Sequence, residues 1–262
     1  MTNASFSPEE WQALAAYGLA HNAAQDTIGF RIDAAQLLDN GQCLATLEQI
    51  MPALGAPNLK VAASLTLKRL AFLVLAPTLY SLSRFDKGLD VSLSQCAFDY
   101  RLENRIWQSK LPLKHIEVTP LRGDRAAWRA QVLRQAFAEH LTPVLEAFHQ
   151  LTRSPKRILW ENVAVRVFSI YERRVLPGLE GERQATAQAD YAWLLSEEAS
   201  AAFGLEANPI AEFDAAFTEL ESVGEPVRVR RTCCYYYRAT EPQEFCSNCP
   251  LPLRLNRNKK VS

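Results

Sequence analysis

Glycine is scarce in this sequence, with 10 among 262 residues, and no glycine-rich segment matches a phosphate-binding loop or a dinucleotide fingerprint. The histidines are few and dispersed, at His21, His115, His140 and His149. No nucleophile motif accompanies them, so we interpret them as structural. These absences argue against nucleotide-dependent enzymes and against hydrolases that use a catalytic triad.

Long apolar runs are also missing. The most apolar segment, residues 70–82, follows Lys68 and Arg69 and contains Pro77, so it is shorter than the roughly 20 residues that span a bilayer. We expect a buried core helix with a kink at this proline. Two interpretations of Lys68 and Arg69 stay open: they line a cleft, or they extend to solvent from the end of a buried helix.

A basic leader is absent as well. The first residues carry no positive segment before apolar ones, which argues against a secretory signal, and residues 7–10 instead form a capping box with proline at the first helical position. We therefore expect a cytoplasmic protein, with a loose association with the inner membrane left open. Thiols stay reduced in that compartment, which favours metal binding over disulfides.

What the sequence does contain is typical of a folded domain. Hydrophobic residues make up 48% of the chain, and 29 basic residues balance 29 acidic ones. This composition excludes a disordered, collagen-like or disulfide-rich miniature protein. Helical periodicity covers residues 8–20, 42–54, 59–84, 124–148, 157–175, 182–203 and 210–222.

A short β region interrupts the helices. Residues 91–102, 105–111 and 115–121 have β-rich or alternating patterns that suit an antiparallel meander. The predicted fold class is therefore α+β: a mostly helical body, a small meander and a C-terminal cysteine-rich segment. We place the division between a body at residues 1–227 and a basic segment at residues 228–262 packed on it.

Charge is unevenly distributed between these two parts. Residues 228–262 contain eight basic and two acidic side chains, a balance of +6, which leaves −6 for the rest of this neutral chain. The last few residues suit a solvated tail. Arginines next to cysteines have a second use, because positive charge lowers thiol pKa values and offsets the charge of a thiolate-bound centre.

The cysteines carry the most specific pattern. Four lie close together: Cys233, Cys234, Cys246 and Cys249. The other two, at positions 43 and 96, stand alone, and we interpret them as small buried hydrophobic residues. Four thiols within 17 positions indicate a tetrathiolate metal site.

The residues alone leave three interpretations of these four cysteines open. Zinc requires four sulfurs in one closed tetrahedron, whereas a [2Fe–2S] cluster takes two cysteines on each iron. Adjacent side chains diverge in extended backbone, so the pair Cys233 and Cys234 favours the larger two-iron centre over zinc. Inert thiols or a disulfide form the third alternative.

The surrounding residues resemble a known family. The segment RRTCC at 230–234, followed by Tyr237-Arg238 and the C-x-x-C at 246–249, resembles the C-terminal signature of the ferric-siderophore reductases typified by FhuF. Upstream, ILWEN at 158–162 resembles that family's Trp-x-Asn helix entry, and HLTPV at 140–144 resembles a preceding helix segment. Eleven residues separate the cysteine pairs here, one more than in the family pattern, and such an extension of a loop costs little entropy.

The resemblance implies a [2Fe–2S] cluster on the four cysteines and one-electron reduction of ferric iron in hydroxamate-type siderophores. The electron donor would be a flavoprotein, a ferredoxin or a small reductant, and no nucleic acid partner is expected. The sequence contains no nicotinamide or flavin fingerprint that would identify this donor.

The resemblance also implies candidate substrate contacts: Trp160, Asn162, Arg230, Arg231 and Arg238. The arginines would tune the reduction potential and attract the substrate or an acidic donor. Without the resemblance, Trp160 suits the core and Asn162 suits a satisfied polar contact. We expect backbone N–H groups at residues 232–235 to donate to the sulfurs, and the tyrosines at 235–237 to pack in a β-strand.

Two other functional classes stay open. A zinc-stabilised module could use the basic tail to bind nucleic acid or another partner, although the acidic body argues against it. A siderophore-assembly or carrier protein is the other, because FhuF-like regions resemble part of the siderophore synthetases. Neither alternative gives the cysteine segment a redox role.

Overall fold

The computed structural model describes residues 5–22, 29–104, 106–219, 224 and 226–253. Its helices are α1 (Pro8–Ala15), α2 (Asn40–Leu54), α3 (Leu59–Phe85), α4 (Arg125–Ala136), α5 (Thr142–Thr152), α6 (Lys156–Ile170), α7 (Gly181–Leu194) and α8 (Ser200–Phe203). Its strands are β1 (Leu19–His21), β2 (Phe30–Asp33), β3 (Lys87–Leu89), β4 (Ala97–Glu103), β5 (Ile106–Leu113), β6 (Val118–Pro120), β7 (Phe217–Glu219) and β8 (Pro226–Arg228). The predicted α+β class, with a helical body and small antiparallel sheets, is confirmed.

Helix α3 is the centre of the body. Asn58 caps it by accepting a hydrogen bond from the Val61 N–H at 3.1 Å, and most of its side chains are buried. Helix α6 packs along it, and α2, α4, α5 and α7 surround the pair. Pro77 lies inside this buried helix, which continues to Phe85, one residue past the predicted end, and the kink expected at this proline stays a prediction.

The N-terminal cap is also as predicted. The Ser7 hydroxyl accepts from the Glu10 N–H, and the Glu10 carboxylate accepts from the Ser7 N–H. Helix α1 nevertheless ends at Ala15, five residues before the predicted end. Gly18 adopts a positive φ of 98°, and the chain then enters β1, which pairs in parallel with β5. Leu19 pairs with Leu111, 92 positions along the chain, and local periodicity could not predict this pairing.

The predicted three-stranded meander is partly wrong. Strands β4 and β5 form the expected antiparallel pair, in a sheet of order β1-β5-β4-β2. The third predicted run contributes β6, which instead pairs with β3. Strand β5 already has β1 and β4 at its two edges, so no edge of it is left for β6.

Two C-terminal helix predictions also need correction. The helix predicted at 182–203 divides into α7, a 3-10 turn at Glu197–Ala199 and α8. The helix predicted at 210–222 is wrong in its described part: a 3-10 turn at Ala211–Phe213 is followed by β7, which pairs with β8. The Asn208 side-chain oxygen accepts from the Ile210 and Ala211 N–H groups and so caps the start of this turn, but the chain becomes extended at Asp214 and goes on to pair with β8.

The segment after α4 contains a π-turn at Phe137–Leu141, which places His140 in the core. Its Nδ1 lies 2.6 Å from the carbonyl oxygen of Val91, and its Nε2 is buried without a partner in the part of the chain that the structure describes. Burial lowers the pKa of His140 to about 4. This histidine is therefore neutral and structural at pH 7.

This burial predicts an acid-sensitive stability. Between pH 6.5 and about 4, His140 binds a proton in the unfolded chain but stays neutral in the folded protein. The free energy of unfolding therefore falls as the pH falls, by about 1.4 kcal/mol per pH unit. In His140→Gln this part of the slope should vanish, as measured by urea unfolding across the window. The exposed-site variant His115→Gln should keep the wild-type slope. An unchanged slope in His140→Gln would contradict the prediction.

Candidate metal centre

The four clustered cysteines meet as two pairs. The sulfurs of Cys234 and Cys246 are 3.8 Å apart, and the thiol of Cys233 is close enough to Cys249 for the two to interact. Two thiolates bound at about 2.3 Å to one tetrahedral ion would be separated by about 3.8 Å. All four thiols are free of disulfides. The remaining cysteines, Cys43 and Cys96, are buried in the hydrophobic core as expected.

Two turns create these pairs. Tyr235 has a left-handed φ of 66°, and its N–H donates to the Cys233 sulfur at 3.3 Å, as predicted for this stretch of backbone. A 3-10 helix at Tyr236–Ala239 follows, so the predicted strand for the tyrosines is wrong. The C-x-x-C turn is closed by the Cys249 N–H, which donates to the Cys246 carbonyl. The sharp reversal after Cys234 lets adjacent cysteines serve one compact site.

The donor set fits a binuclear cluster. Two cysteine pairs match the two irons of a [2Fe–2S] cluster better than a single zinc tetrahedron. In addition, the Nη1 atom of Arg230 is buried without a hydrogen-bond acceptor among the described atoms, and a cluster sulfur would satisfy it.

The electrostatic environment favours thiolate at one pair. The pKa of Cys234 lies well below its usual range, because the Cys246 thiol donates a hydrogen bond to it and because Lys68 and Arg230 are close. Burial raises the pKa of Cys233 to about 11, so a bound metal is needed to hold that sulfur as a thiolate at neutral pH. Thiolate sulfurs at this site would bind a cationic metal centre, and Lys68 and Arg230 place fixed positive charge beside Cys234.

A buried carboxylate anchors the cysteine segment to α6. Glu161 accepts hydrogen bonds from the backbone N–H of Arg231 at 2.5 Å and of Thr232 at 2.8 Å, and from the Thr232 hydroxyl. Its carboxylate also lies 3.4 Å from the Arg230 guanidinium. The predicted N–H donation to sulfur therefore fails at Thr232, whose N–H is committed to Glu161.

The neighbouring residue extends this anchor to α3. The Asn162 Oδ1 accepts from Arg230 Nη2 at 2.8 Å, and its Nδ2 donates to the Ser64 carbonyl and hydroxyl oxygens. The Ser64 hydroxyl in turn donates to the Cys234 carbonyl at 3.0 Å. We name Glu161, Asn162, Ser64 and Arg230 the anchor network. The network joins the backbone of residues 231, 232 and 234 to two core helices, α3 and α6.

The predicted substrate contacts separate into two groups. Arg231 and Arg238 are exposed near the cysteines, whereas Arg230 is only 3% exposed and belongs to the anchor network, a position that favours a structural role. Trp160 is 6% exposed and packs edge-on against Phe203. Substrate binding by these residues and by Asn162 stays a prediction, as does the division at residue 227.

Sequence reasoning missed Glu161. The only available signal was an acidic residue between the tryptophan and asparagine of an otherwise apolar helix segment. A charged residue in such a position needs a buried partner, and the structure supplies one in Arg230.

Two of the cavities that border the cysteine segment contain Lys68. The first, of about 200 Å³, is lined by Lys68, Arg166, Glu172, Arg228, Cys246 and Asn248, among others. The second, of about 190 Å³, is lined by Lys68, Arg69, Arg166, Trp107 and Tyr236, among others. We call them the Cys246 cavity and the Trp107 cavity. Of the two interpretations of Lys68 and Arg69, the structure supports the cleft.

A helical body that carries two cysteine pairs on a basic, anchored segment is the layout of a metal-binding protein whose donor set fits an iron–sulfur cluster. The chain belongs to the FhuF-like ferric iron reductase family. Residues 64–213 match the family model described as ferric iron reductase FhuF-like transporter, and residues 230–251 match the FhuF 2Fe-2S C-terminal domain. The cofactor expected from the cysteine pattern, a [2Fe–2S] cluster, is confirmed by the second match.

Comparison with curated proteins finds no match. Among the helices of the described residues, none combines the length and the hydropathy that crossing a bilayer requires.

Proposed function

We propose that this protein is a cytoplasmic ferric-siderophore reductase that delivers one electron to Fe(III) held by a hydroxamate-type chelator. Cys233, Cys234, Cys246 and Cys249 would hold the [2Fe–2S] cluster, which supplies single electrons when bound. Fe(III) accepts one electron and becomes Fe(II), and the protein is oxidised by one electron. A flavoprotein, a ferredoxin or a small reductant then restores the reduced protein.

The observation that carries this proposal is the partial exposure of the cysteine pairs beside a cavity. Cys233 and Cys246 are neither buried nor fully exposed, and Cys246 lines a cavity together with cationic side chains. A substrate at that cavity would lie next to a cluster ligand without entering the core. Such proximity suits electron transfer, which requires no general acid, general base or nucleophile at the site.

The chemistry of release follows from the preference of hard anionic oxygens for Fe(III) over Fe(II). Addition of one electron weakens every iron–oxygen bond of the chelate at once, so the metal exchanges out of the complex. Exposed Arg231 and Arg238 lie on the cysteine segment, where their charge favours the approach of an acidic donor or an anionic substrate.

The proposal predicts a coloured, reducible protein. Purified without oxygen, it should be red-brown, and dithionite should bleach its visible absorption. Mixing the reduced protein with a ferric hydroxamate chelate should restore the colour while an Fe(II) indicator reports one iron released per electron. A colourless preparation with one zinc per chain would overturn the cluster, and a reduced protein that reacts with no ferric chelate would overturn the substrate class.

A further inference from the structure

Three cations line the cavities beside the cluster segment without a carboxylate partner. In the described part of the chain, no ion pair involves Lys68, Arg69 or Arg166. Arg69 Nε instead donates to the Ser109 hydroxyl at 2.6 Å, and Arg166 Nε donates to the Lys68 carbonyl at 3.0 Å. We call Lys68, Arg69 and Arg166 the cationic triplet.

Two members of the triplet, Arg69 and Arg166, lie over one aromatic ring. The guanidinium carbons of Arg69 and Arg166 lie 5.5 and 5.6 Å from the centre of the Phe72 ring, and that of Arg174 lies 5.2 Å from it. Cation–π contacts fix the positions of these groups but do not neutralise them. Several like charges gathered at a partly buried site are unfavourable unless an anion shares the site.

The cluster itself can account for only part of this charge. Lys68 and Arg166 are close enough to Cys234 to interact with its thiolate. Arg69, by contrast, faces the Trp107 cavity, and the groups lining that cavity include no acidic side chain. The single glutamate of the Cys246 cavity, Glu172, is already paired with Arg228 at 2.6 Å. Positive charge thus remains for a ligand that enters from outside.

The size of the cavities limits what enters them. At about 200 and 190 Å³, each is smaller than the roughly 300–1,000 Å³ of pockets that enclose a whole small molecule. Each has room for a carboxylate-bearing arm, while the iron and its chelating groups stay outside beside Cys246. A concave site of this size also suits an arm of a small chelate better than the flat acidic face of a donor protein.

We infer that the cationic triplet selects ferric chelates that carry free carboxylates and a net negative charge over neutral ones, an inference that rests on the proposed function. Three hydroxamates exactly balance the charge of Fe(III), so a simple trihydroxamate complex is neutral and offers the triplet nothing to bind. A hydroxamate chelate with additional carboxylate arms keeps the same six oxygens around iron. Its arms supply carboxylates that can pair with the cationic triplet.

A matched pair of substrates tests the inference. Ferric tris(acetohydroxamate) is neutral, and ferric tris(succinomonohydroxamate) has the same iron coordination with three added carboxylates. With excess chelator present, the reduced protein should react with the anionic complex roughly tenfold faster or more at low ionic strength, and salt should erode the gain. Lys68→Gln and Arg69→Gln should each lose most of it.

Lys156→Gln is the matched control, because it removes one positive charge from the exposed start of α6, roughly 15 Å along the helix from Arg166. It should keep the wild-type preference. The reduction potential of each variant, measured in parallel, separates lost binding from a changed driving force. Equal rates for the two complexes, or triplet variants that match the control, would overturn the inference, as would a loss seen only with a ferredoxin donor.

Gallium(III) complexes of the same two chelators keep this test independent of electron transfer, because gallium is not reduced. Equilibrium dialysis should show tighter binding of the anionic gallium complex to the wild type and to Lys156→Gln than to Lys68→Gln or Arg69→Gln. Binding preference without any iron reduction would reject the proposed function and retain the inference. Iron reduction with equal binding of the two gallium complexes would retain the proposed function and reject the inference.

Discussion

Replacement of Cys246 by serine should abolish the visible colour of the anaerobically purified protein. Cys246 forms one close sulfur pair with Cys234 at 3.8 Å, and a serine oxygen at this position removes a thiolate from a set of four. Iron and acid-labile sulfide per chain should fall close to zero, and reduction of ferric chelates should fall with them. Visible absorption, iron analysis and electron paramagnetic resonance of the reduced protein provide the measurements.

Cys43→Ala is the matched control, because it also removes one thiol, from a buried position between core residues of α2. It should keep the full cluster content at a modest cost in stability. A Cys246→Ser protein that retains two irons per chain with unchanged spectra would refute ligation by this cysteine. Zinc in both proteins, at one ion per chain, would refute the iron–sulfur assignment altogether.

The cysteine site could be predicted from sequence because its information is local. Four thiols within a short segment and a C-x-x-C turn indicate a metal centre whatever the rest of the chain does. The same holds for α2 and α3, whose apolar residues lie within each helix and whose N-caps, Asp39 and Asn58, immediately precede it. Local patterns are enough to predict an element when the residues that determine its structure lie within a few positions of each other.

Elements that depend on distant partners could not be predicted in this way. Strand β1 forms because β5 offers an edge, and β7 forms because β8 returns alongside it, although both segments have compositions that suit helices. The role of Glu161 depends on backbone groups 70 and 71 positions away. Likewise, Lys68 and Arg166 belong to one cavity only because α3 packs against α6.

Removal of the Glu161 side chain should cause a large loss of stability. In Glu161→Ala the N–H groups of Arg231 and Thr232 lose their acceptor, and the buried guanidinium of Arg230 loses its only carboxylate partner among the described residues. Breaking one side of a buried ion pair costs about 3–5 kcal/mol. Urea unfolding under anaerobic conditions should show a loss of this size.

The same variant should lose its cluster faster, because the anchor network holds the backbone immediately before Cys233. The decay of visible absorption in the presence of an Fe(II) chelator measures this rate. Glu146→Ala is the control: Glu146 forms a partly exposed ion pair with Lys156 at 2.7 Å, and its loss should cost about 1 kcal/mol or less with no change in cluster decay. Equal decay rates in the two variants would contradict the anchoring role.

A double-mutant cycle separates anchoring from a general defect of the core. Arg230→Ala alone leaves the Glu161 carboxylate buried without its guanidinium, and Glu161→Ala alone leaves the guanidinium without its carboxylate. The double variant removes both charges, so its loss of unfolding free energy should be smaller than the sum of the two single losses by about 0.5–3 kcal/mol. Strict additivity would mean that the two side chains act independently, and the 3.4 Å contact between them would then carry no stabilisation of the cysteine segment.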